Sequence, residues 1–434
     1  MLKKGDKKLI NAWSFYDWAN SVYSLVIGTA VFPIYYESVT GSNGGIVQFL
    51  GTDWHNTTIY SYSLGFSFLV VAFLSPILSA IADYTGNKKR FMQFFCLLGS
   101  LSVASLFFFT GEENIWIGLV FTMLASIGFW GSIVFYNAYL PEVAEPKDHD
   151  RVSAKGFMMG YIGSVILLIF NLSMVMKPEL YGITDSGLPA RISFLTVGVW
   201  WFGFAQYTFS KLPNNPFKKK PSKDYIFEGF RELRTVLREL KHQRELRILL
   251  ISFFLYSIGV QTIILLASTF GIKDLGLETS NLIITIILIQ LVGIAGAYFF
   301  SRLSEKIGNI KSLKITVLIW SLACIGAYLL NGDDPNVYLK FYALGAFLGF
   351  VLGAVQSLSR STYSKLIPED TEDHATYFSF FDVTEKIAIV VGMTLAGIVT
   401  SYTNSLRLFI LLLAVFFIAG FISLSFMKKT KYVK

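Results

Sequence analysis

The chain has 434 residues, of which 53% are hydrophobic and only 15% charged, and its mean hydropathy is +0.55. Soluble domains carry about 25% charged residues, whereas here the charges are bunched between apolar runs of about 20 residues, the length that crosses a hydrocarbon core of about 30 Å. These totals exclude a soluble enzyme, and the formal net charge of +8 sits in a few loops rather than on a nucleic-acid-binding face.

Windows of about 19 residues predict an all-α, polytopic membrane protein with twelve transmembrane helices. In the first half they cover residues 12–36, 58–82, 91–110, 115–140, 153–176 and 190–212. In the second they cover 246–270, 281–303, 313–330, 337–359, 377–400 and 405–427. The first run is long and has no small-residue cleavage site, so no signal peptide is expected. Of the 37 Lys and Arg, 31 fall on the side of the N-terminus, 5 on the other side, and Lys386 lies within a helix. The positive-inside rule therefore places both termini in the cytoplasm.

Helix 1 carries a polar stripe. Asp17, Asn20 with Ser21, Ser24 and Gly28 fall on one helical face, which lipid would not tolerate; alternatively Asp17 is interfacial, beside Trp13 and Trp18. After helix 2 comes SAIADYTGNKKR at 79–90. Its Gly86 suits a tight turn, and Lys88, Lys89 and Arg90 are expected to hold the loop at an anionic membrane surface. Asn137 on helix 4 is a further inward candidate. Gly156, Gly160 and Gly163 on helix 5 read as close helix packing.

Residues 213–245 divide the chain into a first bundle, 1–212, and a second, 246–434. The divider starts as a basic, proline-punctuated stretch, NNPFKKKPSK, and continues as an amphipathic helix over 225–243 with Ile226, Phe230, Leu233, Val236 with Leu237, and Leu240 on one face and Arg and Lys on the other. Such a helix lies on an anionic leaflet, lies under the bundle, or is a solvated connector.

The second half repeats the first. SRLSEKIGNIK at 301–311 matches 79–89 at an offset of 222, aligning Asp83 with Glu305, Gly86 with Gly308 and Lys89 with Lys311. A second pair, YNAYLPE from Tyr136 and YSKLIPE from Tyr363, is offset by 227. Two matches at nearly constant spacing mark an internal duplication.

Helix 11 makes the sharpest case for function. Its charge-free run, 387–399, is only 13 residues, about 20 Å at 1.5 Å per residue, so Asp382, Glu385 and Lys386 are drawn inside the membrane boundary. Asp382 and Lys386 form an i,i+4 pair with the acid first, leaving Glu385 as the protonatable carboxylate. The alternative is an ion pair that anchors the helix end at the interface. Gln261 on helix 7, and Gln356 and Arg360 on helix 10, are further candidates. Arg360 is either an ordinary cytoplasmic cation or the counter-ion of Asp17 or of a substrate carboxylate.

Twelve helices in two pseudo-symmetric sets of six, with a Ser-x-x-x-acid-x-x-Gly-x-basic loop after helices 2 and 8, resemble the major facilitator superfamily. Ser79 and Ser301 stand where that family usually has Gly. YDWANS from Tyr16 and QSLSRS from Gln356 narrow the resemblance to the branch of autophagy-related vacuole effluxers and their bacterial relatives. The resemblance implies alternating access, with helices 1, 4, 7 and 10 lining the cavity, and amino-acid efflux for the fungal members. It also implies that Asp83 latches the halves at the start of helix 11, with Glu305 and the start of helix 5 as the mirror latch; the loops could instead only fix topology.

Free His are scattered without ligand spacing, Cys96 and Cys324 lie in different halves, and no Walker-type loop occurs, so neither metal, cofactor nor nucleotide is expected. The expected function is secondary transport of a small polar solute, best an amino acid, with proton coupling through Glu385 and Asp17. Sugar or organic-anion transport and a non-transporting scaffold are the alternatives. A membrane enzyme would need a clustered site that the sequence lacks. The expected setting is a monomer in a bacterial inner membrane, its partners the lipid bilayer, its substrate and protons.

Overall fold

The computed structural model describes residues 3–42, 44–213, 225–403 and 405–433; the basic stretch NNPFKKKPSK lies outside them. Among the described residues twelve helices are long and apolar enough to cross a membrane. They are α1 (Lys7–Thr40), α2 (Asn56–Thr85), α3 (Lys88–Phe108), α4 (Glu112–Val143), α5 (Pro146–Met176) and α6 (Leu188–Lys211). The second set is α7 (Arg244–Lys273), α8 (Thr279–Ile307), α9 (Asn309–Tyr328), α10 (Val337–Leu366), α11 (His374–Thr403) and α12 (Arg407–Ser425).

Several helices run past the apolar windows at their basic ends. A hydropathy window stops where charge begins, but a backbone that must satisfy its own hydrogen bonds keeps winding. The extra turns place Asp150 near the start of α5, Arg360 and Lys365 on α10, and His374 at the start of α11.

Packing repeats with a period of six helices. In the first bundle α1 lies against α5 and α6, α3 against α4 and α6, and α2 against α4. In the second α7 lies against α11 and α12, α9 against α10 and α12, and α8 against α10. The bundles meet where α11 packs on α2 and α4, and where α5 packs on α8 and α10. Exchanging the bundles maps each of these pairs onto another, which is a pseudo-two-fold arrangement.

Glycines permit the closest of these contacts. A Cβ on Gly349 of α10 would sit 2.5 Å from the Ile289 carbonyl of α8, and one on Gly353 would sit 2.5 Å from the Gly293 carbonyl. In lipid, where no hydrophobic drive brings helices together, such backbone approach is the main source of association.

Three local features lie outside the hydropathy pattern. Within α1, Tyr23–Val31 winds as a π-helix. Between α1 and α2, Ile46–Phe49 and Thr52–His55 form an antiparallel hairpin; its turn places Leu50 and Gly51 at positive φ of 52° and 77°, as a tight hairpin turn requires. The expected amphipathic helix forms over Tyr225–His242 and lies under the bundle against α2, α7 and α11. Val236 and Leu240 are buried, whereas Phe227, Phe230 and Leu237 are exposed beside Arg234 and Arg238.

Gly349→Val is expected to force α8 and α10 apart and cost about 1–3 kcal/mol, the usual penalty of overpacking. A fall of several degrees in the thermal midpoint of detergent-purified protein would show it; an unchanged midpoint would mean that this crossing tolerates a side chain.

Candidate functional site

A cavity of about 340 Å³ lies between the bundles, within the size range of small-molecule sites. Its walls come from both halves, and Asp17, Arg360 and Glu385 are the charged side chains that line it. The polar face of α1 is open to it at Ser24 and Gly28, in the π-helical stretch.

Asp17 and Arg360 close the floor. Arg360 reaches from α10 across the interface into the first bundle and is 3% exposed. Its Nε donates to Ser153 Oγ at 2.9 Å, and its two amino groups donate to the Ser153 carbonyl at 2.8 Å, Asn137 Oδ1 at 3.2 Å and Asp17 Oδ2 at 3.4 and 3.5 Å. Tyr136 Oη also donates to Asp17 Oδ2, at 2.7 Å. The guanidinium lies 4.2 Å from the centre of Phe157 and 5.0 Å from that of Trp13, a cation–π setting that replaces water with ring faces. Gly156 makes room for this knot: a Cβ there would meet Asp17 Oδ2 at 2.5 Å and Arg360 at 3.0 Å. Of the roles left open for Arg360, the geometry supports counter-ion of Asp17.

Helix α11 supplies the second cluster. Lys386 Nζ donates to Asp382 Oδ1 at 2.9 Å and to Glu385 Oε2 at 3.2 Å. It also lies 3.4 Å from the ring centre of Trp130, on α4 of the other bundle. Gln261 of α7 donates to Glu385 Oε1 at 2.6 Å. The Glu385 side chain keeps 16% of its surface exposed, against 1% for Lys386 and 4% for Asp382. So Glu385 faces the cavity while Asp382 and Lys386 stand behind it, supporting the wall rather than lining it.

The remaining cavity candidates divide. Gln356 lines the cavity and accepts from Tyr161 Oη at 3.0 Å, and Ser24, Asn137 and Gln261 line it too. Asn20 does not. It is fully buried inside the first bundle, near Ser21 Oγ at 3.4 Å, because a side chain three residues from Asp17 turns off the cavity-facing edge of the stripe that Ser21 occupies.

The basic side of the cavity is shut by two ionic knots. Asp83, at the end of α2, accepts from the Thr376 amide at 2.7 Å, Thr376 Oγ1 at 2.9 Å and the Ala375 amide at 3.3 Å. These are the unpaired donors of the first turn of α11, where the helix dipole favours a carboxylate. Gly86, at φ 68°, turns the chain directly after it. Lys88 is not at the membrane surface as expected. It is 1% exposed, bonded to Glu142 and 3.7 Å from Asp83, and Glu142 also meets His374 Nδ1 at 3.3 Å. Only Lys89 and Arg90 reach outward, Lys89 donating to the Leu212 carbonyl at 3.1 Å.

The mirror knot corrects the expectation for Glu305. That carboxylate is exposed and pairs with Arg302 at 3.3 Å, one turn away on its own helix. The acid comes instead from the opposite partner. Asp150, near the start of α5, accepts from Ser304 Oγ and Asn309 Nδ2, each at 2.7 Å, and pairs with Lys365 of α10 at 2.8 Å. Gly308, at φ 93°, makes the turn between those two donors, while Lys311 is exposed. Asp150, Lys365, Ser153 and Tyr136 escaped the sequence reading. The signals for them were a charge at a helix end for Asp150 and membership of the repeated YNAYLPE and YSKLIPE segments for Tyr136 and Lys365; Ser153 carried none.

The sequence profile described as "Vacuole effluxer Atg22 like" matches residues 5–149 and 144–433. The chain belongs to the Atg22-like family of major facilitator transporters. Within it, the MFS-type transporter YxiO of Bacillus subtilis is 31% identical over 428 residues, covering 98% of this chain and 96% of that protein. Autophagy-related protein 22 of Yarrowia lipolytica is 27% identical over 449 residues, covering 83% and 74%. Among solved structures, the MFS transporter FucP in its outward conformation superposes with a TM-score of 0.68 at 15% identity, covering 98% of both chains. The proton:xylose symporter XylE gives 0.70 at 12% identity, covering 98% and 96%. Likenesses this distant establish the fold alone, and this Atg22-like chain shares that fold through all twelve helices.

Two outcomes test the knots. Asp83→Asn and Asp150→Asn are each expected to speed labelling of a single cysteine placed at Ser24 by a reagent applied from the basic side, whereas Glu305→Gln leaves it unchanged; equal rates in all three would make the loops purely topological. Lys386→Met strands Asp382 and is expected to cost about 3–5 kcal/mol, as breaking a buried pair does. Thermal unfolding in detergent measures it, and an unchanged midpoint would put these charges in water.

Proposed function

We propose that this protein is a secondary transporter that moves a small polar solute, best an amino acid, by alternating access, and that protons drive it through Glu385. The observation that carries this reading is Glu385 itself, a carboxylate deep in a membrane helix that remains partly exposed to a cavity between the two bundles. An intramembrane acid that only supported the fold would be sealed, as Asp382 is. Asp17 is held by Arg360 and Tyr136 in the arrangement described, so its part in proton movement falls in the state where the basic side opens. In that reading the two knots are the gate, the basic side is cytoplasmic, and the protein works as a monomer in a bacterial inner membrane.

The family, described as vacuole effluxers, supports efflux; the choice of an amino acid as cargo rests on the resemblance to its fungal members. A neutral sugar is the second reading: Ser24 and Gln356 line the cavity, and the fold neighbour XylE is a proton:xylose symporter.

Proteoliposomes loaded with a labelled amino-acid mixture, or with labelled xylose and fucose, and exposed to a proton gradient of either sign separate these readings. Amino-acid flux that follows the gradient and falls at least about tenfold in Glu385→Gln, the effect of losing roughly 1.4 kcal/mol, is the expected result. Flux indifferent to pH and to that substitution would remove the proton role, and flux of the sugars alone would favour the second reading.

A further inference from the structure

The charges around the cavity do not balance, and the imbalance has one sign. Arg360 has five N–H donors, and all five point at protein acceptors: Ser153 twice, Asn137 once and Asp17 twice. Its faces are covered by Phe157, Trp13 and Tyr136. It offers nothing to a cargo carboxylate. Lys386, the other cation near the cavity, is 1% exposed, does not line the cavity, and is shared between Asp382 and Glu385. One ammonium between two carboxylates leaves one negative charge uncompensated, and Glu385 is the member of the trio that the cavity reaches.

Resting on the transporter reading above, we infer that the cavity recognises the ammonium end of its cargo, that Glu385 takes up either that ammonium or a proton, and that the two are exchanged across the membrane in opposite directions. An excess charge in a low-dielectric site is costly, so the carboxylate is occupied in every state that changes access. When cargo arrives, the Glu385 O–H bond breaks, the proton leaves to water, and the ammonium takes its place against the carboxylate. When cargo leaves, a proton re-forms the O–H bond. For a cargo whose ammonium is its only charge inside the site, with any carboxylate left at the watery end of the cavity, the site charge is the same after each exchange and both the loaded and the returning carrier cross as neutral sites. A carrier that had to hold both ligands at once would need a second free acceptor on the wall; Asp17 is already held by Arg360 and Tyr136, and the unpartnered Oδ2 of Asp382 is sealed behind the wall.

The groups that face Glu385 are few. Asp382 and Lys386 come from α11, and Gln261 and Tyr256 from α7. Trp130 comes from α4, whose acids lie at its two ends: Glu112 and Glu113 in its first turn, and Glu142, bound to Lys88, at the basic end. In α2 the only charge is Asp83, held at the start of α11, and in α12 the only charge is Arg407 at its first residue. The remaining wall is mixed, with the rings of Phe157, Phe253, Tyr256 and Phe381 beside aliphatic residues such as Val260 and Leu352, which suits an apolar body behind the ammonium.

Three probes with one ring and different ends decide the matter: tyramine, with the amine alone, tyrosine, with both charges, and 4-hydroxyphenylpropionate, with the carboxylate alone. Calorimetric titration of the full-length protein in detergent, in two buffers of different ionisation heat, counts the protons released per ligand bound. Tyramine and tyrosine are expected to bind within about tenfold of one another and to release protons on binding; the acid is expected to bind at least about a hundredfold more weakly, a gap of roughly 2.7 kcal/mol. Glu385→Gln should abolish proton release, while Glu385→Asp keeps it with altered affinity, which separates loss of the carboxylate from loss of the fold. Binding of the acid as tight as tyramine, proton uptake instead of release, or release that survives in Glu385→Gln would overturn the inference. Tyrosine flux in proteoliposomes with protons moving in the same direction would overturn exchange and leave the transporter reading standing. No binding of any probe, with no flux of any amino acid, would overturn both.

Discussion

An ion inside a bilayer needs a partner, and here several of the buried ions find one across the line between the two bundles. Arg360 of the second bundle meets Asp17 of the first, and Lys365 meets Asp150. Asp83 of the first takes the amides that begin α11, and Glu142 meets His374. Lys386 stays with its own helix for its hydrogen bonds but rests on Trp130 of the other bundle. Contacts between the bundles therefore satisfy a large share of the charge, beside the pairs Lys88–Glu142 and Lys386–Asp382 that stay within one bundle. If the basic side opens, the same groups enter water and recover hydration in place of the lost pairs. A buried ion pair exchanged for two hydrated ions is close to neutral in free energy, and two states close in free energy are what alternating access requires.

The duplicated loops show how such a constraint survives divergence. Both copies keep the turn glycine and the asparagine after it, and both put a carboxylate at the basic end of a helix. In the first copy that carboxylate, Asp83, grips the opposite bundle. In the second it has become Glu305 and drifted to an exposed pair with Arg302, and the grip is restored by an acid on the other side, Asp150, held by Ser304 and Asn309 of the loop. What is kept is a negative charge in the first turn of the partner helix or facing it, where the helix dipole stabilises it from either direction. The polarity of the contact is free to reverse.

The fold was legible because its two strongest signals, apolar runs of membrane length and a repeated loop, are long-range patterns that no single residue can blur. Glu385 was legible for a related reason: a charge-free run of 13 residues in α11 is too short to span, so the ions at its end had to be inside. Residues whose meaning depends on rotation about a helix were not. Asn20 and Ser21 are neighbours in the stripe, and only Ser21 lines the cavity. Lys88 sits in a run of three cations that reads as one surface patch, yet it alone turns inward, towards Glu142. Asp150 and Lys365 fall beyond the apolar windows, on turns that a hydropathy average treats as loop, and the second knot is built there. The π-helical stretch of α1 and the hairpin after it depend on backbone geometry that composition does not record.

Helix α11 joins the two ends of this arrangement mechanically. Its first turn holds Asp83 through Ala375 and Thr376, and Glu385 lies nine residues beyond Thr376 on the same unbroken helix, a separation of about 14 Å at 1.5 Å per residue. A helix of that length is rigid, so a tilt that frees the amides from Asp83 also moves Glu385 relative to Gln261 of α7 and moves Lys386 off Trp130 of α4. Charge at Glu385 acts on the same lever from the other end, because Lys386 divides its hydrogen bonds between Glu385 and Asp382. Neutralise Glu385, and Lys386 settles wholly on Asp382; leave it ionised and unoccupied, and the lysine is pulled between two acids while the cavity holds an unmatched charge. In the transport cycle proposed above, occupancy of the cavity and closure of the basic side would be two readings of the position of one rod, a coupling that needs no relay of intermediate side chains beyond the helix itself.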